Sequence, residues 1–252
     1  MKREAQSWEH YERMIARLMA DQIDTSLCVT PNARVIGKIS GRSRQLDVLI
    51  DARHDTDDSR RIIVDAKRRK RKIDVTDVEA FRGVMEDVGA THGYLICPVG
   101  YTAAAEKRAQ MAVSICLVPL DHIKNFDPST WPACMNSACE RGRVFWDGYP
   151  ELSMVLQPVT ENTNTSPIVK RFVHHVGKCD RCGRFHVQCN TCGDILSTPE
   201  DDDDDIGHQC NCRMPWFWLA SVEESEDGAK SAELHLCQLK GVITVDRRPY
   251  RR

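Results

Sequence analysis

Three closely spaced cysteine pairs constrain this chain more than any other feature of its sequence. In two of the pairs two residues lie between the cysteines, and in the third pair one residue does: Cys179 and Cys182, Cys189 and Cys192, and Cys210 and Cys212. Paired thiolates at this spacing are typical ligands of tetrahedral Zn²⁺ in structural sites. An iron–sulfur cluster also takes four cysteines, but separated pairs resemble a zinc ribbon more closely. We therefore predict at least one bound Zn²⁺ in a module over residues 176–252.

The spacing leaves the grouping of the cysteines open. An acidic loop separates Cys192 from Cys210, so the pair Cys210 and Cys212 is expected to close a site opened by an earlier pair. The pair at Cys189 is slightly favoured over the pair at Cys179, and a second zinc would use both. Histidines are alternative ligands for a second site: His174, His175, His186 and His208. Cys134 and Cys139 either form another half-site or are free, and the last four cysteines are expected to be free: Cys28, Cys97, Cys116 and Cys237.

The N-terminus and the hydropathy of the chain indicate where such cysteines are used. Twelve cysteines would suggest disulfides in a short secreted protein, but the first residues are charged and resemble no export signal. No stretch approaches the roughly 20 apolar residues that cross a bilayer. We expect a soluble cytoplasmic protein, without a membrane partner, in which cysteines bind metal.

The periodicity of apolar residues predicts an α/β domain in the first half of the chain. Apolar residues recur at helical spacing over residues 7–20 and again from Val78 to Val88, and Thr102 is a candidate N-cap of a third helix. Runs rich in β-formers lie at about 33–39, 45–51, 61–67, 94–97 and 114–118. The order α-β-β-β-α-β-α-β predicts a layered fold with a mixed sheet over residues 1–121. Residues 122–175 are expected to be a connector with short strands, and residues 232–246 a closing strand pair.

Two of these runs carry charged residues that suggest catalysis. Asp65 and Lys67 are two residues apart in a strand, so their side chains share a face. If the preceding strand is a neighbour, Asp47 comes alongside Asp65, and two carboxylates with the Ala66 carbonyl offer the hard oxygen ligands that Mg²⁺ prefers. A metal there would stabilise charge on a phosphate, while Lys67 would orient or deprotonate an attacking water. An exposed salt bridge is the alternative for an Asp-x-Lys strand end.

The segment from Trp8 to Val118 resembles the Mrr-type restriction endonucleases, a branch of the PD-(D/E)xK nuclease superfamily. The resemblance is carried by an ordered set of four motifs: Tyr11-Glu12, Gln45-Leu46-Asp47, Asp65-Ala66-Lys67 and Gly100-Tyr101-Thr102-Ala103-Ala104-Ala105. Many members have Glu or Gln followed by Cys or Tyr where this chain has Asp65 and Ala66. The resemblance implies a restriction-endonuclease-like αβββαβ core, with Asp47 and Asp65 as metal ligands, Lys67 as catalytic lysine and Glu12 as an auxiliary acid.

A basic run follows the catalytic strand directly. Residues 1–72 contain 17 Lys and Arg against 11 Asp and Glu, a balance of +6. Four of these basic residues are candidates for contacts with DNA phosphates: Arg68, Arg69, Lys70 and Arg71. A solvated turn is the alternative interpretation.

These observations favour a Mg²⁺-dependent (or Mn²⁺-dependent) DNA endonuclease, and the family points to bacterial restriction or anti-phage defence. A repair or recombination nuclease of the same superfamily would use the same residues. A non-catalytic zinc-ribbon binding protein is a third hypothesis, against which the intact Asp47, Asp65 and Lys67 argue. DNA is the expected partner. A homodimer is reasonable for a double-strand cut, and the aromatic run Trp216–Trp218 could dock a protein on the zinc module or simply pack within it.

Overall fold

A computed structural model describes most of the chain. The described residues are 8–24, 26–53, 60–67, 69–109, 113–117, 130–156, 166–200, 207–225, 228 and 230–250. Three sheets organise them, one in the first half and two in the second. No helix in these ranges is long and apolar enough to cross a membrane.

The first half has the predicted order of elements. They are α1 (Trp8–Ala20), β1 (Leu27–Ile36), β2 (Ser43–Ala52), β3 (Ile62–Ala66), α2 (Val75–Val88), β4 (His92–Cys97), α3 (Ala103–Ala109) and β5 (Val113–Leu117). The sheet runs β1-β2-β3-β4-β5, antiparallel across the first three strands and parallel from β3 to β5. The mixed sheet is thus confirmed, and Thr102 caps α3 by accepting a hydrogen bond from the Ala105 amide.

Apolar side chains cover both faces of this sheet. On one face, Leu49, Ile63 and Leu95 pack against α2 and α3. On the other, Val48 and Val64 pack against α1, together with Phe145 from the second half of the chain. The first sheet is therefore the middle layer of the domain, and the C-terminal half contributes to one of its cores.

Strand β1 begins earlier than the sequence predicts. The sequence predicts this strand only over about residues 33–39, after Pro31 and Asn32, which are residue types common in turns. In the structure β1 starts at Leu27 and passes through both residues, with Asn32 in the left-handed region at φ 49°. Asparagine tolerates that conformation better than most residues, and the strand continues beyond the irregularity.

The second half contains two antiparallel sheets. Its strands are β6 (Val144–Gly148), β7 (Glu151–Leu156), β8 (Ile168–Cys179), β9 (Phe185–Cys189), β10 (Ile195–Thr198), β11 (Trp216–Glu224), β12 (Lys230–Gln238) and β13 (Gly241–Pro249). One sheet has the order β10-β9-β8-β6 with β7 also on β8, and the other is β11-β12-β13. The expected connector 122–175 contains β6, β7 and most of β8, which continues to Cys179 across residue 175.

These two sheets enclose a hydrophobic core of their own. Phe172, Val176 and Phe185 from one sheet pack against Trp218 and Leu234 from the other. Trp216 is buried in the same core and Phe217 is partly exposed, so most of the aromatic run serves packing within the module. The segment is thus larger and better packed than a zinc ribbon that depends on metal for all its folding energy.

A buried group of four charged side chains joins the two halves. Arg53, which follows β2, contacts Asp246 at 3.2 Å and Asp147 at 3.4 Å, and Lys178 contacts the same carboxylates at 2.6 and 3.2 Å. Asp147 also accepts a hydrogen bond from the Val29 amide at 2.9 Å. Two positive and two negative groups neutralise one another, as buried ions must. We call this set the charge quartet.

Candidate active site and cysteine sites

Strands β2 and β3 bring Asp47 and Asp65 together. Val48 pairs with Val64, so the antiparallel register places Asp47 opposite Asp65 at the end of the ladder. Asp47 Oδ2 accepts a hydrogen bond of 2.7 Å from the Ala66 amide, which fixes its carboxylate beside the catalytic strand. The predicted neighbourhood of the two acids is therefore present.

Asp65 and Lys67 point to the same side of β3, as the alternation of a strand predicts. Lys67 Nζ lies 2.5 Å from Asp65 Oδ2, and both side chains are partly exposed. The Lys67 amide donates a hydrogen bond of 2.7 Å to the Ile96 carbonyl, which continues the pairing with β4. The lysine thus projects from a fixed backbone next to the acids.

Glu12 reaches the same acids from α1. Tyr11, Ile15 and other apolar residues of α1 bury the helix against the sheet, which brings the half-buried Glu12 side chain to Asp47. Burial and the hydrogen-bonded Asp47 raise the pKa of Glu12 to about 9. Burial also raises the pKa of Asp47, with a contribution from Asp65 and opposition from the Ala66 amide.

This donor set fits a hard divalent cation. Carboxylate groups held this close disfavour one another's charge, and a cation among them relieves the repulsion. Mg²⁺ and Mn²⁺ take oxygen ligands of this kind. The chemistry of Glu12, Asp47 and Asp65 therefore suits such an ion, while Lys67 is available for proton transfer or for contact with a phosphate.

A polar cleft of about 400 Å³ opens on the Glu12 and Asp47 side of the site. Acids and arginines alternate on its walls. The charged side chains that border it are Glu9, Glu12, Arg13, Arg34, Asp47, Asp180 and Arg181. Asp180 and Arg181 come from the C-terminal half, which sequence analysis did not connect with catalysis.

The basic run after β3 is tied to the start of α2. Arg69 forms an ion pair with Asp77, and Arg71 forms ion pairs with Asp77 and with Asp74, the N-cap of that helix. Burial opposes the charge of Asp77, but its arginine partners and the Asp74 amide lower its pKa to about 2. Lys70 is exposed, and Arg68 lies outside the described residues. Two of the four predicted DNA contacts therefore already have intramolecular partners.

Four cysteines converge in what we call the inner cysteine site: Cys134, Cys139, Cys179 and Cys182. The Sγ atoms of Cys134 and Cys182, and those of Cys139 and Cys179, are 3.7 Å apart. Tetrahedral Zn²⁺ with Zn–S bonds of about 2.3 Å requires Sγ atoms about 3.8 Å apart. The donor set and its spacing fit zinc.

The inner site also shows why its residues have these identities. A Cβ on Gly142 would lie 2.4 Å from Cys179 Sγ and 2.6 Å from Cys139 Sγ, so any larger residue enters the space for the metal. His186 accepts a hydrogen bond from the Met135 amide at Nε2 and therefore donates from Nδ1 to the Arg184 carbonyl. His186 thus supports the loop that contains Cys134. Both groups of possible metal ligands consist of cysteines alone, and they include none of the four histidines that the sequence offered for a second site.

A second group of four cysteines forms what we call the outer cysteine site: Cys189, Cys192, Cys210 and Cys212. Cys189 and Cys212 have Sγ atoms 3.8 Å apart. This is the grouping that was slightly favoured from the sequence. The partners of Cys179 and Cys182 were missed, although the separation of Cys134 and Cys139 by four residues was a usable signal. Cys28, Cys97 and Cys237 belong to neither group.

Fold and site together define the first part of the chain as a restriction-endonuclease-like domain. The family model described as restriction endonuclease, of the Mrr catalytic type, matches residues 3–126, and this part of the chain belongs to that family. No curated protein matches the chain. A crystal structure described as that of a protein of unknown function, AF1548, matches with 14% identity and a TM-score of 0.38, over 51% of this chain and 73% of that chain. A likeness at that TM-score carries no conclusion.

Proposed function

We propose that this protein is a Mg²⁺-dependent (or Mn²⁺-dependent) endonuclease that hydrolyses phosphodiester bonds in DNA. The observation that carries the proposal is the convergence of Glu12, Asp47 and Asp65 beside Lys67 at the end of adjacent strands. A cluster of half-buried acids is costly to maintain without a cation. Membership of the restriction endonuclease family makes phosphodiester hydrolysis its most direct use.

Each residue has a distinct part in this proposal. Asp47, Asp65 and the Ala66 carbonyl would hold the cation, which supplies stabilisation of the charge that develops on the phosphate. Lys67 would orient the attacking water and donate hydrogen bonds to the phosphate from its ammonium group, as its position next to Asp65 allows. Glu12 holds water or completes the ligand set from the α1 side of the site.

The basic run supports the proposal as a DNA contact. Arg69 and Arg71 form ion pairs with Asp77 at the start of α2, and the exposed Lys70 lies between them in the chain. Lys70→Ala should weaken DNA binding and flatten its salt dependence, because each lost phosphate contact reduces counterion release. Lys240→Ala, an exposed lysine in the β12–β13 turn, is the matched control. Equal salt slopes for the two variants would contradict a role for Lys70.

The biological setting follows from the family alone. We include bacterial restriction or anti-phage defence in the cytoplasm in the proposal. A cut through both strands calls for two active sites, so the proposal includes a homodimer. If it forms, the rate of plasmid linearisation should rise more steeply than in proportion to the protein concentration.

The nuclease assignment is tested with supercoiled plasmid and purified protein in Mg²⁺, Mn²⁺ or EDTA. We expect nicking or linearisation only with a divalent cation, and loss of cleavage in Asp65→Ala and in Lys67→Ala with DNA binding retained. Glu79→Gln, at an exposed acid on α2, is the control. Cleavage by both site variants at the wild-type rate would exclude this assignment.

A further inference from the structure

Asp180 lies in the chain between Cys179 and Cys182 of the inner cysteine site, and its side chain contacts α1 of the N-terminal half. Its carboxylate accepts hydrogen bonds of 2.8 Å from Arg13 Nε and from the Arg143 amide, and Arg13 Nη2 is also 2.8 Å away. Both charged side chains are more than nine-tenths buried. A buried pair of this kind is strongly directional, because any other arrangement leaves a charge without a partner.

A second connection runs from the backbone of the same residue. The Asp180 carbonyl accepts a hydrogen bond of 2.8 Å from Asn32 Nδ2, and Asn32 Oδ1 accepts one of 2.8 Å from Gln45 Nε2. Pro31 pairs with Val48 and Ala33 with Leu46, so Asn32 lies opposite Asp47 of β2. Asn32 is also the β1 residue with the left-handed backbone described above. The irregularity in β1 therefore presents an amide that links Asp180 to β2.

The two connections end next to two different acids of the active site. Arg13 follows Glu12 on α1, and Gln45 precedes Asp47 by two residues on β2. Asp180 borders the same cleft as both acids. A displacement of Asp180 would thus change the placement of α1 relative to β2, and with it the separation of Glu12 and Asp47.

The position of Asp180 is set by the cysteine loop that contains it. The Arg181 amide donates to Cys179 Sγ at 3.4 Å, and the Gly183 amide donates to the Cys179 carbonyl at 2.9 Å. This tight turn is closed by Cys179 and Cys182, whose Sγ atoms belong to the inner site. A metal at that site would hold both ends of the turn and so would hold Asp180.

We propose that Asp180 is a positioning residue of the nuclease site, through which metal in the inner cysteine site fixes the arrangement of Glu12 and Asp47. This inference rests on the proposed function, since it assigns the acids to a divalent cation. When a residue that orients metal ligands without contacting the metal is substituted, metal affinity typically falls by about 10- to 100-fold.

The test measures binding of Mn²⁺ by electron paramagnetic resonance in zinc-loaded protein without DNA. Asp180→Asn keeps the shape and the acceptor for the Arg143 amide but removes the charge that pairs with Arg13. We expect the Mn²⁺ concentration at half-saturation to rise about tenfold, with unchanged zinc content. Asp194→Asn is the matched control, because Asp194 accepts the Asn211 amide beside the outer cysteine site. Its half-saturation should equal that of the wild type.

A second variant keeps the inference falsifiable if Asp180→Asn does not fold. Asn32→Gly accepts the left-handed backbone and removes only the amide between Asp180 and Gln45. This variant should also raise the Mn²⁺ concentration at half-saturation. If each of the two variants that folds has the half-saturation concentration of the wild type, the inference is overturned and the proposed function stands. A wild-type protein that neither binds Mn²⁺ nor cleaves DNA would overturn the proposed function, and the inference with it.

Discussion

The inner and outer cysteine sites have the same local design and different surroundings. Each contains a Cys-x-x-Cys-Gly turn in which the glycine has a positive φ, 77° at Gly183 and 79° at Gly193. In the inner turn the two intervening residues are Asp180 and Arg181, which contact Arg13 and Glu9 of α1. In the outer turn they are Asn190 and Thr191, which are exposed.

The difference shows that ligand spacing predicts a metal without predicting its role. In both sites four sulfur atoms lie at the spacing that a tetrahedral zinc ion requires. What the ion then organises depends on the residues between the ligands and on the surface they meet. Asp180 and Arg181 of the inner turn border the polar cleft beside Glu12 and Asp47, so a metal in the inner site would also affect the arrangement of these acids, as we propose above.

The largest difference is expected between Cys139→Ser and Cys192→Ser. Each variant should lose one zinc per chain, because three thiolates and a hydroxyl bind zinc weakly. Cys139→Ser should also lose plasmid cleavage, whereas Cys192→Ser should keep most of it. Zinc is measured by elemental analysis and cleavage on supercoiled plasmid. Equal losses of cleavage in the two variants would erase the distinction between the sites.

The charge quartet should hold the two halves together whatever the state of the zinc sites. Asp246→Ala leaves Arg53 and Lys178 buried with one carboxylate between them, and we expect the free energy of unfolding to fall by about 3–5 kcal/mol. Glu79→Ala breaks an exposed ion pair with Arg108 and should cost about 1 kcal/mol or less. Urea unfolding of zinc-loaded protein measures both. A loss for Asp246→Ala as small as that for Glu79→Ala would mean that the quartet does not join the halves.

A glycine substitution should affect the inner site and spare the outer one. Gly142→Ala would place a methyl group against Cys139 and Cys179, so zinc content should fall to one per chain. In Gly193→Ala the new methyl group meets no atom within 4 Å, and the cost is confined to the left-handed backbone, about 1–2 kcal/mol. Elemental analysis and thermal unfolding distinguish the variants. Two zinc ions in Gly142→Ala would show that the inner site is looser than its geometry indicates.

The smallest effect is a pH dependence within the C-terminal core. Burial lowers the pKa of His174 below its ordinary value of 6.5, and its ring nitrogens have no hydrogen-bond partner among the described residues. Below pH 6.5 the unfolded chain binds a proton that the folded chain does not, so the free energy of unfolding falls as the pH falls towards the lowered pKa. His174→Leu should remove this part of the pH dependence. Parallel unfolding curves for the two proteins from pH 7.5 to 5.5 would contradict it.

The sequence predicted what depends on local pattern and missed what depends on tertiary contact. Alternation in β3 correctly placed Asp65 beside Lys67, and apolar periodicity correctly gave the order of elements. The early start of β1 was missed because the strand passes through Asn32, a residue type common in turns. Its irregular backbone places the side chain in contact with Asp180, which no local pattern indicates. Asp180 itself has no local signal, since its partner Arg13 is 167 residues away in the chain.

We propose that this chain holds an oxygen-ligated catalytic cation next to a sulfur-ligated structural one. Crystals grown with Mn²⁺, with anomalous diffraction measured at the manganese and zinc absorption edges, test it most directly. We expect a manganese peak among the carboxylates of Asp47 and Asp65, and zinc peaks at the inner and outer cysteine sites. Zinc peaks without any manganese peak at these acids, in crystals of protein that cleaves DNA in Mn²⁺, would contradict it.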